Sequence, residues 1–126
     1  MTIFGTAHRR AISALAALVV LATPAPSLAA GAFAIGKCGA YGEAHDYPAA
    51  TAARMAALGQ CKGGCTALTM RRACAALAID LKNPCGAHGY AVEPQISSSL
   101  NEAARKCYEF GGKECVIRAW ACDAKG

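Results

Sequence analysis

The eight cysteines of this 126-residue chain fall into two matching sets of four. Cys38, Cys61, Cys65 and Cys74 are echoed in order by Cys85, Cys107, Cys115 and Cys122. The successive spacings are 23, 4 and 9 residues in the first set and 22, 8 and 7 in the second. The neighbouring text repeats too: Phe33-Ala34-Ile35 answers Leu77-Ala78-Ile79, and Cys38-Gly39-Ala40-Tyr41-Gly42 answers Cys85-Gly86-Ala87-His88-Gly89. A short duplicated unit with this much sulfur reads as a small exported module held by disulfides. The pattern speaks to architecture and is silent on ligand and reaction.

Export is expected from residues 1–30. His8, Arg9 and Arg10 give a basic start, and Ala11 to Ala22 is a nearly unbroken apolar run. Pro24 and Pro26 end any helix, and Ser27-Leu28-Ala29 puts small residues where a signal peptidase reads. This is the layout of a Sec-type secretory signal peptide, cut near Ala29 or Ala30, for a secreted or periplasmic product. A run of twelve residues broken only by Ser13 falls short of the roughly 20 that cross a bilayer, so no membrane attachment is expected after cleavage. The residues after Arg9-Arg10 do not support a twin-arginine route, and no cysteine at the cut invites a lipid anchor.

The mature chain of about 97 residues carries 11 Lys and Arg against 8 Asp and Glu. Arg71-Arg72 and Arg105-Lys106 are isolated pairs rather than a stripe, so nucleic acid is not an expected partner. Only seven aromatic residues follow the leader, and alanine supplies much of the apolar content. Such a chain builds a modest core. Native disulfides, each worth roughly 2–4 kcal/mol, are then comparable to the whole net stability of a small domain.

Each copy reads as strand, turn, strand, helix, strand. In the first, Ala32 to Lys37 and Ala40 to Asp46 flank a Cys38-Gly39 turn. Asp46-Tyr47-Pro48 opens a helix over Ala49 to Lys62, with proline in the first turn. Ala53, Ala57, Leu58 and Cys61 share its inner face, Gly63-Gly64 stops it, and Cys65 to Arg72 is the third strand. The second copy follows without a linker: strand Ala75 to Asp80, turn Leu81 to Cys85, strand Gly86 to Val92. A Ser99/Glu102 capping box then starts a helix from about Ser98 to Phe110, with Leu100, Ala103, Ala104 and Cys107 inside. Gly111-Gly112 ends it and Cys115 to Cys122 closes the copy. One helix cannot cover both faces of its own sheet. The expected fold is therefore a single α+β domain over residues 31–126, built from two β-β-α-β units (32–74 and 75–122). A mostly antiparallel sheet, two helices and an approximate two-fold axis complete it.

Eight cysteines allow 105 pairings, which local geometry can rank. Cys61 ends a helix and Cys65 opens a strand across Gly-Gly, as do Cys107 and Cys115, so Cys61–Cys65 and Cys107–Cys115 are expected. Cys74–Cys122 and Cys38–Cys85, each crossing the axis, complete the first choice; Cys38–Cys74 with Cys85–Cys122 is its rival. Zinc wants Cys-x2-Cys knuckles or closely spaced histidines, and neither occurs, so no metal is expected. Thioredoxin-like chemistry wants Cys-x-x-Cys at a helix start, whereas Cys61 sits at a helix end.

Catalytic candidates are few. Ser97, Ser98 and Ser99 read as a cap. His45 with Glu43 and Asp46 can be drawn as an acid–base cluster, but His45 and Asp46 point to opposite faces of a strand. His88 aligns with Tyr41 and is expected half-buried. Trp120 is expected in the core. Tyr41, Tyr47, Tyr90 and Tyr108 are candidates for a binding face, and Gly39, Gly42, Gly86 and Gly89 sit in or beside hairpin turns rather than in a phosphate loop.

Four local motifs resemble a known group: Ala57-Leu58-Gly59-Gln60-Cys61, Cys65, Arg72-Ala73-Cys74-Ala75-Ala76-Leu77-Ala78, and Trp120-Ala121-Cys122. Together they look like the bacterial family called domain of unknown function 4189, whose members are small exported tandem units. The resemblance runs from Gly31 to Cys122. Met70-Arg71-Arg72 replaces the aromatic of the first closing strand, and Cys38 and Cys85 look like additions. The family implies no established activity.

The function expected is a non-enzymatic binding or structural module outside the cytoplasm, with no cofactor. Its partner would be a macromolecule: a protein, an envelope glycan or a host component. The alternative is a small secreted hydrolase or toxin using His45 or His88 with nearby carboxylates.

Overall fold

A computed structural model describes residues 30–123. Of the leader read at residues 1–30, residues 1–29 lie outside the described residues and Ala30 opens the first strand. Nine elements follow in order: β1 (Ala30–Ile35), a 3-10 turn (Lys37–Gly39), β2 (Tyr41–Tyr47), α1 (Ala50–Gln60), β3 (Thr66–Met70), β4 (Cys74–Asp80), β5 (His88–Glu93), α2 (Ile96–Glu109) and β6 (Cys115–Cys122). The strands form two three-stranded sheets, ordered β2-β1-β3 and β5-β4-β6, with every neighbour antiparallel. The fold is α+β, and the antiparallel sheet is divided into one sheet per copy.

Strand alternation sets the layers, because successive side chains point to opposite faces. From β1, Ala32 and Ala34 pack with Ala53 and Ala57 of α1 and with Cys61 just past its end. Phe33 and Ile35 point the other way, onto Met70 and onto Ala75, Leu77 and Ile79 of β4. In turn Ala76 and Ala78 of β4 face Ala103 and Cys107 of α2. The order is helix, sheet, sheet, helix. Phe33, Met70 and Leu77 are among the largest fully buried side chains, each worth about 1.5–3 kcal/mol of burial. Bulk lies between the sheets, while alanine lines the helix–sheet layers.

Small residues there let the helices come close. A Cβ on Gly42 would lie 2.0 Å from the Ala57 carbonyl oxygen, and one on Gly89 would lie 2.2 Å from that of Ala103. The two glycines are register partners of Ala34 and Ala78, at equivalent places in the two copies. Gly42 and Gly89, beside the turns, are therefore helix seats, while Gly39 and Gly86 lie in the turns themselves.

Several local expectations change. α1 starts at Ala50, so Pro48 precedes the first turn instead of occupying it. Leu58 is 37% exposed and lies off the inner face. α2 begins at Ile96 after an uncapped Gln95, which leaves no Ser99/Glu102 capping box. Ser99 is buried within the helix, donating to the Cys74 carbonyl at 2.6 Å and accepting from Glu93 N–H at 3.1 Å. It fastens the helix to both strands beneath. Trp120 is 54% exposed rather than in the core: it sits on β6, an edge strand, opposite Ala76. The end of α2 follows glycine logic, with Gly111 at φ +96° and the N–H of Gly112 returning to Cys107 O.

Asp80 ends β4 as a clasp. It is buried, and one carboxylate oxygen accepts from the backbone N–H groups of Lys82 and Glu114, both at 3.1 Å. Burial works to raise its pKa, but backbone N–H groups of Lys82, Glu114 and Lys113 and the Lys82 charge outweigh it and hold the carboxyl below its ordinary value. The group therefore contributes stability that is present above the ordinary carboxylate value of about 3.9 and lost as pH falls through the lower folded value.

Two outcomes follow from these contacts. Gly89→Ala should destabilise by about 1–3 kcal/mol through overpacking against backbone. Gly59→Ala, within α1 and with nothing inside 4 Å of the new Cβ, should instead gain about 0.5–1 kcal/mol; urea unfolding of both variants checks the contrast. In acid, unfolding of the parent should show a loss of stability below about pH 4 that is flattened in Asp80→Asn, as followed by circular dichroism from pH 6 to pH 2.

Candidate functional site

The two sheets meet along two seams, and these differ. At one, β2 faces β6. Arg118 lies over the Tyr41 ring at 5.3 Å and its Nε donates to Gly39 O at 3.3 Å. Further along the same seam the His45 Nδ1–H donates to Cys122 O at 3.1 Å. Arg118 reaches across because it is the extra residue of a bulge: Leu77 pairs with Ala119 and Ala78 with Ile117, leaving Arg118 unmatched. In the first sheet β3 pairs with β1 without any shift. The first copy has no counterpart to Arg118.

The other seam, between β3 and β5, therefore stays open. A cavity of about 300 Å³ lies there, with Ile35 behind it, Thr66 and Leu68 on one wall and His88 and Tyr90 on the other. The Cys38–Cys85 disulfide, Lys37, Gly64 and Gly86 form its rim. Among the described residues, Lys37 and His88 are the basic side chains lining it, and no carboxylate does. Outside the rim, the Lys106 ammonium lies 5.9 Å from the centre of the Tyr90 ring. The site offers a positive edge, one aromatic face and an apolar floor, which suits a small group that is flat or branched and carries negative charge.

The four disulfides are Cys38–Cys85, Cys61–Cys65, Cys74–Cys122 and Cys107–Cys115. Cys61–Cys65 and Cys107–Cys115 each span 6.1 Å between Cα atoms, closing helix end to strand start. Cys38 and Cys85 occupy equivalent turns, so their bond joins the two copies. Cys74–Cys122 does not cross between the halves. Cys74 opens β4 and is the register partner of Cys122 on β6, so that bond lies within the second sheet. The corresponding end of β1 carries Ala30.

The histidines do not share a site. His88 pairs with Ile79 at one end of β4, while His45 reaches Cys122 beside Cys74 at the other. Five residues of strand between them amount to roughly 17 Å. Glu43 and His45 do come together, Oε1 to Nε2 at 3.8 Å, with both about two-fifths exposed. Asp46 sits at a bulge with φ +57°. His88 is exposed rather than half-buried, and its ring contacts the Gly86 carbonyl. Ser97 and Ser98 are exposed on α2, while Ser99 is committed to Cys74. No nucleophile, base and orienting group converge among the described residues. Of the four tyrosines, Tyr41 closes one seam and Tyr90 lines the other; Tyr108 instead accepts from the Cys115 N–H at 3.3 Å. On the α2 surface Glu102 and Arg105 pair, lowering the carboxyl and raising the guanidinium.

Lys37 and Tyr90 become pocket residues because sheet packing brings them to one seam. No spacing in the chain signals that. Cys38 and Cys85 are both exposed, whereas Cys74 and Cys107 are fully buried. Limited reduction followed by alkylation should therefore label Cys38 and Cys85 first. Opening that 47-residue loop should cost up to about 4 kcal/mol, read by peptide mapping together with urea unfolding.

The family model described as Domain of unknown function (DUF4189) matches residues 30–122. Comparison with curated proteins and with solved structures found no match. Since the matched span takes in every element from β1 to β6, the chain belongs to the family of domain of unknown function 4189.

Proposed function

We propose that this protein is an exported, non-enzymatic binding module whose ligand face is the β3–β5 seam. The observation that carries the reading is the 300 Å³ cavity edged by Lys37, His88 and Tyr90 and framed by a disulfide. The partner is a macromolecule outside the cytoplasm, an envelope glycan or a protein, that presents an acidic group beside an apolar one. Four disulfides fit an oxidising compartment, which agrees with the leader read in the sequence. No helix among the described residues is long and apolar enough to cross a membrane.

A hydrolase reading would rest on the Glu43–His45 pair. Its Nδ1–H is already held by a backbone carbonyl, and no hydroxyl or free thiol stands beside it among the described residues. That arrangement steadies the closed seam.

The test is capture from envelope and culture-medium fractions by the immobilised oxidised domain. Lys37→Glu combined with Tyr90→Ala should reduce captured partner at least about tenfold, the loss expected of one or two central contacts. His45→Ala should leave capture unchanged. Capture that survives the double variant and fails with His45→Ala would move the site to the other seam.

A further inference from the structure

Asp123 is a buried carboxylate that the pocket and the folded scaffold leave unused. It is 1% exposed, and its Oδ1 has no hydrogen-bond partner among the described residues. Its backbone N–H donates to Ala73 O at 2.9 Å, which fixes it as the continuation of β6. The surrounding charges are otherwise engaged or turned outward. His45 is bound to Cys122 O and faces Glu43, and Arg71 and Arg72, in the β3–β4 link, are exposed. No ion pair among the described residues includes Asp123.

The carboxyl packs directly on the start of β1. A Cβ placed on Gly31 would lie 2.9 Å from Asp123 Cβ and 3.1 Å from its Cγ. Only glycine leaves room there, because the Asp123 side chain occupies the space a side chain at position 31 would fill. Burying a carboxylate with no partner costs several kcal/mol, so a cation or donor is required.

Leader removal supplies one. A cut after Ala29 or Ala30 turns an uncharged peptide nitrogen into an ammonium at Ala30 or Gly31, at the point where Asp123 is packed. We propose that Asp123 is the docking site for the α-ammonium group of the processed chain. The resulting charged hydrogen bond joins the first strand of one sheet to the last strand of the other. Before the cut the carboxylate lacks this partner. Processing therefore tightens the fold, and the mature form is more stable than its precursor. The inference rests on the reading of residues 1–30 as a cleaved leader.

Secretion of the full-length chain from a bacterial host tests both. Intact mass first locates the new terminus. A start at Ala30 or Gly31 supports the leader reading; a retained leader overturns it and the docking together. With the leader gone, carbon-detected NMR of the first residue should give an α-amino pKa at least about one unit above its usual 7.7–8.0, returning to that range in Asp123→Asn. A Gly-Ser insertion at the cut, which carries the ammonium away, should lower Tm by several degrees in the parent and add nothing in Asp123→Asn. An α-amine titrating in its usual range, or insertion and substitution effects that simply add, would overturn the docking while export stands. Should Asp123→Asn fail to fold, the parent titration and the insertion still decide.

Discussion

Contact between the two sheets is the interaction on which the rest depends. Phe33, Ile35, Met70, Leu77 and Ile79 meet there, and they supply most of the bulky buried surface of the molecule. Nothing comparable lies beneath the helices, where alanine and glycine bring backbones together and bury little area per residue. A layer this thin would part easily if the chain were free to leave it. The disulfides remove that freedom. Cys38–Cys85 joins the two copies at their turns, Cys74–Cys122 locks β4 to β6, and the two local bonds hold each helix end to its following strand. Closing loops of 47 and 48 residues restricts the unfolded chain most.

The two similar sheets meet at two seams, one closed by side chains and one holding a cavity. Two three-stranded sheets of the same strand plan, packed face to face, leave a seam on each side. A single extra residue in β6 breaks the equivalence, turning Arg118 across one seam onto Tyr41 and Gly39. The other seam has His88 where Tyr41 stands in the first, and no arginine to cover it. The concave, positively edged surface follows from that asymmetry.

Element order was readable in the sequence because glycine, proline and apolar alternation mark its boundaries. The Phe33/Ile35 against Ala32/Ala34 alternation even separates the two faces of β1. What was not readable depended on where neighbours lie in space. Ser99 looks like a helix cap because serine favours that position. Inside α2 it instead meets Cys74 O and Glu93 N–H, partners brought near only by packing. Trp120 has the composition of a core residue but falls on an edge strand. Cys74 looks like the end of one copy, yet it opens the first strand of the next, which moves its bond inside a single sheet. For the site, His45 and His88 were visible as residues but not as neighbours of opposite ends of β4. Arg118 and Asp123 carry no local signal at all.

The most direct test of covalent closure is urea unfolding, followed by circular dichroism, of the oxidised domain and of the same protein with all four disulfides reduced. A cooperative transition is expected for the first and none for the second, whose strand signal should be lost before denaturant is added. A reduced chain that keeps its sheet signal and unfolds at the same midpoint would contradict it.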